Sequence, residues 1–131
     1  MAKGVSIKIG GAAYWLVCNA EAYFVIQEKY GEGFGKLIAP NTPEAYGIAV
    51  EIMLLLAEQG ELCRRAAGYD RAEMLTAEMV PPYVAVSSAE AMIVKNRVME
   101  ALLMGMGREV KKQDKEIDLD LLEWQKKTEI S

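Results

Sequence analysis

Residues 5–17 alternate between apolar side chains and polar or mixed ones, which is the pattern of β-strands with one buried face. Gly10 and Gly11 interrupt the alternation, and glycine tolerates the positive φ angles that a two-residue hairpin turn requires. The sequence therefore predicts a β-hairpin over residues 5–17. In the register that this turn sets, the core side carries Val5, Ile7, Ile9, Ala12, Tyr14 and Leu16, and the wetter side carries Ser6, Lys8, Ala13 and Trp15.

Four later segments have the apolar spacing of α-helices. The first is predicted at about residues 20–30, because Asn19 is a good N-cap and Gly31 is a natural C-terminal stop. The glycines that follow predict a flexible link around Phe34 rather than a phosphate-binding loop, since no Lys-Ser/Thr pair follows them. The other helices are predicted at about residues 43–59, 71–79 and 88–106.

The helix predicted at residues 43–59 is apolar around most of its circumference. Its glutamates recur every seven positions and form one narrow stripe: Glu44, Glu51 and Glu58. Helical residues seven apart are separated by about 10.5 Å along the axis, too far to share one metal ion or proton, which favours a solvated stripe. Such a helix is either the central helix of the fold or is partly covered by a second subunit, as in a homo-oligomer. Helical composition continues past Gly60, which can interrupt the helix rather than end it.

Two features are candidates for partner binding. Met92, Met99 and Met106 recur every seven residues in the last predicted helix, and a methionine stripe serves either as core filler or as an adaptable binding face. Trp15 lies on the wetter side of the hairpin, so it either contacts a partner or is buried beneath the C-terminal segment.

The distribution of charge divides the chain near residue 107. Residues 1–107 are expected to form a single globular domain, α+β and mostly α, in which the N-terminal β-hairpin packs on a bundle of about four to five helices. Residues 108–131 are dense in charge and lack one clean apolar period. They are expected to form either a charged C-terminal tail that recognises a partner or a docking helix at about residues 118–127.

Composition narrows the classes of partner. The chain has 131 residues, an apolar fraction of 52% and a net charge of −4, without a cluster of basic and aromatic residues, so nucleic-acid binding is not expected.

The cysteines and the N-terminus indicate the cellular compartment. Cys18 and Cys63 are far apart and form no CxxC pair, which favours a reducing cytoplasm. The N-terminal alternation is unlike a signal peptide, and the longest apolar run is too short to span a bilayer.

Catalytic signatures are absent from the sequence. Without histidine, the chain lacks the commonest general base and metal ligand. No serine lies in a GxSxG motif, and neither cysteine has an evident activating base. We therefore predict no catalytic, cofactor-binding or metal-binding residues, and we expect that the protein is not an enzyme.

The N-terminal third carries a family resemblance. It combines a Gly turn (Gly10-Gly11), a Tyr-x-Leu on the return strand (Tyr14 and Leu16) and a helix that ends near Glu-x-x-Gly (Glu28 and Gly31). This arrangement resembles the start of the tail assembly chaperones of long-tailed, non-contractile phages (siphophages), prophages and related gene-transfer particles. The remainder of the chain is similar to that family only in its order of elements.

The resemblance implies a protein of the host bacterial cytoplasm that catalyses nothing. It would coat the long helical tape-measure protein before subunits of the tail-tube protein polymerise around it. Trp15, Met92, Met99 and Met106 are then the expected contact residues, with neither nucleic acid nor membrane as a partner. The alternative from a different class is a small helical adaptor or regulatory protein that binds another protein target.

Overall fold

The computed structural model describes residues 3–80 and 89–107. In these ranges, a two-stranded antiparallel sheet is followed by four α-helices, which confirms the predicted α+β, mostly α, fold class. The elements are β1 (Val5–Ile9), β2 (Ala12–Leu16), α1 (Ala20–Tyr30), α2 (Phe34–Ile38), α3 (Pro43–Ala66), a single 3-10 turn (Ala77–Met79) and α4 (Ala89–Gly105). Within residues 3–80 and 89–107, every helix is too short or too polar to be a membrane-spanning segment.

The hairpin has the predicted register. Its cross-strand pairs on the core side are Val5 with Leu16, Ile7 with Tyr14, and Ile9 with Ala12. Gly10 and Gly11 both have positive φ angles, 59° and 85°, as a type I′ turn requires. Val5, Ile7 and Leu16 are buried, so the predicted core side faces the helices.

The first helix begins and ends at the predicted residues. The side chain of Asn19 accepts a hydrogen bond from the backbone N–H of Ala22 at 2.9 Å, and Gly31 ends the helix with a φ of 83°. The amide of Asn19 also donates to the side-chain oxygen of Gln59 at 2.9 Å, which ties the start of α1 to α3.

The predicted flexible link around Phe34 is wrong, because α2 occupies this position. Phe34 and Ile38 are four residues apart, lie on one face of the short helix and are both buried. The Phe34 ring also meets the ring of Tyr23 edge-on, with centroids 5.9 Å apart. Burial of these two side chains in the core outweighs the conformational freedom of the neighbouring glycines.

The third helix lies at the centre of the fold and packs against β2, α4, α2 and α1. This confirms the first of the two expectations for the apolar helix, and the homo-oligomer stays a prediction. Thr42 caps its N-terminus by accepting a hydrogen bond from the backbone N–H of Ala45 at 3.1 Å. The stripe of Glu44, Glu51 and Glu58 is exposed, as predicted.

The predicted end of this helix at residue 59 is wrong, and the alternative that Gly60 does not end it is confirmed, because α3 continues to Ala66. Gly60 is buried inside it, and a Cβ at this position would lie 1.6 Å from the carbonyl oxygen of Trp15. Two residues after Trp15, the N–H of Val17 donates to the carbonyl of Leu56 at 3.1 Å. Gly60 therefore permits close contact between helix and strand and does not act as a stop signal.

The predicted helix at residues 71–79 is also wrong. Residues 69–76 have no regular secondary structure, and only Ala77–Met79 forms a 3-10 turn. The backbone of this segment, which we call the strap (residues 69–80), hydrogen-bonds to charged side chains of α3, and those bonds replace the internal ones of a helix. Leu75 and Val80 of the strap are buried in the core.

The last helix of the described chain ends one residue before its predicted end at 106. Its C-terminus crosses the chain at Cys18, where a Cβ on Gly105 would lie 2.2 Å from the carbonyl oxygen. The predicted start at residue 88 lies outside the described residues, and so does the predicted C-terminal tail or docking helix at 108–131. Cys18 and Cys63 are free thiols, and burial raises the pKa of Cys18 to about 11.

Candidate functional site

The predicted methionine stripe is divided between surface and core. Met92, in the first turn of α4, is exposed. Met99 and Met106 are half-buried and pack against the core, and the Met99 methyl group approaches Gly35 of α2. Of the three methionines, Met92 therefore has the side chain most accessible to a partner.

Trp15 lies on the outer face of the hairpin but is only partly exposed to solvent. It pairs with Ser6 on the face of the hairpin away from the core, and its side chain is half-buried. The indole nitrogen is buried without a hydrogen-bond partner among the described residues. Trp15 belongs to β2, beside Gly60 of α3, whereas the predicted methionines all belong to α4.

Sequence reasoning missed most of the exposed apolar surface. Six large apolar side chains of the described chain are between 38% and 60% exposed: Phe24, Leu37, Leu62, Tyr69, Met92 and Ile93. The sequence contained a signal for Phe24, which lies outside the helical spacing that places Ala22, Val25 and Ile26 together. No comparable signal existed for Leu37, because its helix was not predicted.

A groove follows the surface of α3, and we call it the α3 groove. It consists of two neighbouring pockets, of about 150 and 340 Å³, that share Leu55 as a lining residue. The smaller lies between α1 and α3 and is lined by Val25, Ile26, Lys29, Tyr30, Glu51, Ile52 and Leu55. The larger lies between α3 and the strap and is lined by Leu54, Leu55, Glu58, Met74 and Leu75.

A polar cluster closes one end of the groove. Lys29 lies 3.1 Å from a carboxylate oxygen of Glu51, and the hydroxyl of Tyr30 donates to the same oxygen. Hydrogen bonds from Tyr30 and Lys29 lower the pKa of Glu51, while burial and the bond to Glu51 raise the pKa of Tyr30. The cluster joins the C-terminal turn of α1 to α3.

A second carboxylate, Glu61, is buried at the base of the strap. It accepts hydrogen bonds from Arg64 at 2.7 Å, from Arg65 at 2.9 Å and from the backbone N–H of Ala72 at 2.7 Å. Burial by itself would raise the pKa of Glu61, but the Ala72 N–H and the two guanidinium groups outweigh it and lower the pKa to about 2. The arginines also donate to the carbonyls of Asp70 and Ala72, so the cluster holds the strap on both sides.

Lys95 of α4 is the second buried charge that sequence reasoning missed. Its ammonium group donates to the carbonyl oxygens of Ala39 and Pro40, at 3.0 and 2.6 Å, and to the side-chain oxygen of Asn41 at 2.9 Å. These acceptors belong to the loop between α2 and α3. Lys95 therefore fastens that loop to α4 and has a structural role.

The carboxylates of Glu51 and Glu61 already accept hydrogen bonds from neighbouring groups. The donors are lysine and tyrosine side chains at Glu51, and arginine side chains and a backbone N–H at Glu61. No group of three or more cysteine, aspartate or glutamate side chains in residues 3–80 and 89–107 is arranged to hold a metal ion. The exposed apolar residues and the α3 groove are thus the features of this part of the chain that suit contact with another macromolecule.

Comparison of the chain with protein-family models, curated proteins and solved structures finds no match.

Proposed function

We propose that this protein is a non-enzymatic tail assembly chaperone of a siphophage or prophage, which binds the tape-measure protein and assists assembly of the tail tube. The proposal starts from the resemblance of the hairpin and first helix to that family. The observation that carries it is the set of exposed large apolar side chains on a small acidic domain.

The exposed apolar residues suit a partner that presents apolar helical stripes. Phe24, Leu37 and Ile93 stand on three different helices of a packed scaffold. Exposed apolar side chains are typical of protein-binding surfaces where they form one contiguous patch, and the proposal requires that these residues do so when the partner binds. A tape-measure protein is a long helical chain with apolar stripes. These stripes must be shielded from water until tail-tube subunits surround the chain.

The acidic character of the chain supports the same proposal. The chain has a net charge of −4, and the glutamate stripe of α3 is exposed. A chaperone with this surface covers apolar segments while like-charge repulsion keeps the coated complexes apart. Binding of this kind requires no cofactor and takes place in the cytoplasm of the host bacterium, with tail-tube protein as the next partner to arrive.

Within this proposal, the predicted contact residues differ in how directly they contact the partner. Met92 is exposed beside Ile93 and makes direct contact with the partner. Met99 and Met106 support the same helix from its core side. Trp15 contributes the exposed part of its ring from the outer face of the hairpin.

Dilution of denatured tape-measure protein tests the proposal. The partner is the tape-measure protein of the same phage or prophage, diluted from denaturant into buffer while light scattering is recorded. We expect this chain, at equimolar concentration, to suppress the scattering, and an unrelated acidic protein of similar size to have no effect. Equal scattering with both proteins would contradict the chaperone and favour the adaptor alternative.

A further inference from the structure

We infer that the α3 groove is the docking site for an amphipathic helix of the partner, which places one apolar side chain in each pocket and a basic side chain beside Glu58. The inference rests on the proposed function, because it specifies the surface that receives an apolar helical segment of the tape-measure protein. It also specifies the charge that this segment carries.

The two pockets are offset along α3 by less than one turn. The α3 lining residues are Glu51, Ile52 and Leu55 in the smaller pocket and Leu54, Leu55 and Glu58 in the larger one, so each set lies three positions from the other. Three positions correspond to about 4.5 Å along the helix axis, which is also the separation of side chains three residues apart on a partner helix. Because Leu55 lines both pockets, a helix packed against this part of α3 reaches both of them.

The pockets have apolar walls that the fold leaves partly uncovered. Leu54 and Leu55 pack on the core with one side and are only half-buried. The smaller pocket is open on one side, has a volume of about 150 Å³ and has apolar walls formed by Val25, Ile26, Ile52 and Leu55. The larger one, of about 340 Å³, receives a bulkier side chain between α3 and the strap.

The rim of the groove selects the charge of the occupant. Glu51 is already paired with Lys29 and Tyr30. Glu58 is exposed and forms no ion pair with any residue in 3–80 and 89–107. A partner helix that buries its apolar side chains next to Glu58 gains from a lysine or arginine at that point and loses from an acidic residue.

Fluorescence anisotropy with the full-length chain tests the inference. The probe is a designed amphipathic peptide of about three heptads, with leucines on one face and lysines beside them, and its twin carries glutamate in place of lysine. Two variants alter the groove, Leu55→Gln and Glu58→Lys. The matched control is Glu28→Lys, which makes the same change of charge on an exposed position of α1 outside the groove.

We expect the lysine peptide to bind the unaltered chain and the glutamate twin to bind far more weakly. Leu55→Gln should weaken binding of the lysine peptide about tenfold, because one apolar contact is lost. Glu58→Lys should weaken it about fivefold and strengthen binding of the twin, whereas Glu28→Lys should change either affinity by less than about twofold. Circular dichroism of each variant verifies that it is folded.

Three results would overturn the inference. The first is equal weakening by Glu28→Lys and Glu58→Lys, because attraction by net charge alone then explains the binding. The second is no binding of either peptide. The third comes from photo-crosslinking at a groove residue, if the crosslinks reach only this chain's own residues 108–131 or a second copy.

Capture of the tape-measure protein separates this inference from the proposed function. If the unaltered chain and both groove variants capture it equally well, the groove is wrong and the chaperone stands. If the peptides follow the expected pattern but no tape-measure protein is captured, the groove stands and the proposed function fails.

Discussion

Glycines inside helices determine how closely the elements of this fold approach one another. At Gly60, the strand β2 passes so near that the carbonyl of Trp15 occupies the space of a Cβ. At Gly47, in the same helix, nothing lies within 4 Å of a Cβ and the position is exposed. Both glycines therefore lie within the same helix, but only Gly60 is in close contact with another element.

We therefore expect Gly60→Ala and Gly47→Ala to change stability in opposite directions. Gly60→Ala should lower the free energy of unfolding by about 1–3 kcal/mol or more, because β2 must move away from α3. Gly47→Ala should raise it by up to about 1 kcal/mol, since alanine is the better helix former. Urea denaturation of both variants measures the difference, and equal effects would show that the close contact at Gly60 does not constrain the fold.

The buried ammonium group of Lys95 gives a second prediction at this scale. Lys95→Met keeps the apolar stem but removes all three hydrogen bonds to the loop between α2 and α3. We expect a loss of about 1–3 kcal/mol in the free energy of unfolding, because the loop carbonyls lose their donor. Lys36→Met, at an exposed position, is the control and should change stability by less than about 0.5 kcal/mol. A loss no larger than that of the control would mean that these bonds are not needed.

At the scale of elements, the strap is attached to α3 by a cluster of charged side chains around one carboxylate. Glu61 and its two arginines bind the strap through backbone groups of Asp70 and Ala72. These bonds explain why the segment does not form the predicted helix. They also make the attachment of the strap dependent on the ionised form of one carboxylate.

This dependence predicts a change in stability at acid pH. The pKa of Glu61 falls from an ordinary 4.5 to about 2 on folding, so its contribution is complete above pH 4.5 and disappears as the pH falls towards 2. In Glu61→Gln, which cannot ionise, the free energy of unfolding should be lower at pH 7 and should decline less steeply between pH 4.5 and 2 than in the unaltered chain. Thermal unfolding across that interval measures both slopes, and parallel curves would contradict this role.

The same elements show how far sequence reasoning reaches. The hairpin and α1 were predicted to the residue because their signals are local: a Gly-Gly turn, strict alternation, an Asn cap and a Gly stop. The strap, α2 and the end of α3 were mispredicted because tertiary contacts decide them. The burial of Phe34 and the passage of β2 over Gly60 cannot be deduced from neighbouring residues.

The candidate site was less predictable than the fold. The glutamate stripe of α3 was predicted to be solvated, and it is exposed. The groove between Glu51 and Glu58 was not predicted, because it requires α1 and the strap to lie on either side of α3. The periodicity of a sequence predicts which residues share one face of a helix. It does not predict which elements pack beside that face, because this depends on the arrangement of the whole chain.

The molecule as a whole combines a packed core around α3 with apolar side chains left in solvent. Such exposure normally lowers solubility, and it is consistent with selection for binding. On this basis, an exposed apolar residue should matter for the partner and hardly at all for stability.

Ile93, one half exposed at the start of α4, provides that test. Ile93→Lys should reduce capture of the tape-measure protein about tenfold, because a large apolar contact is replaced by a charge. The control, Asn96→Lys, adds the same charge at an exposed position of the same helix and should leave capture unchanged. Both variants should unfold within about 0.5 kcal/mol of the unaltered chain, and loss of capture with both would mean that charge, not apolar contact, determines binding.

Size-exclusion chromatography after co-expression determines whether this chain forms a stable complex with a tape-measure protein. We expect the tape-measure protein of the same phage or prophage to become soluble and to elute with this chain in one peak. If the tape-measure protein stays in the pellet while this chain elutes alone, the proposed chaperone function is wrong.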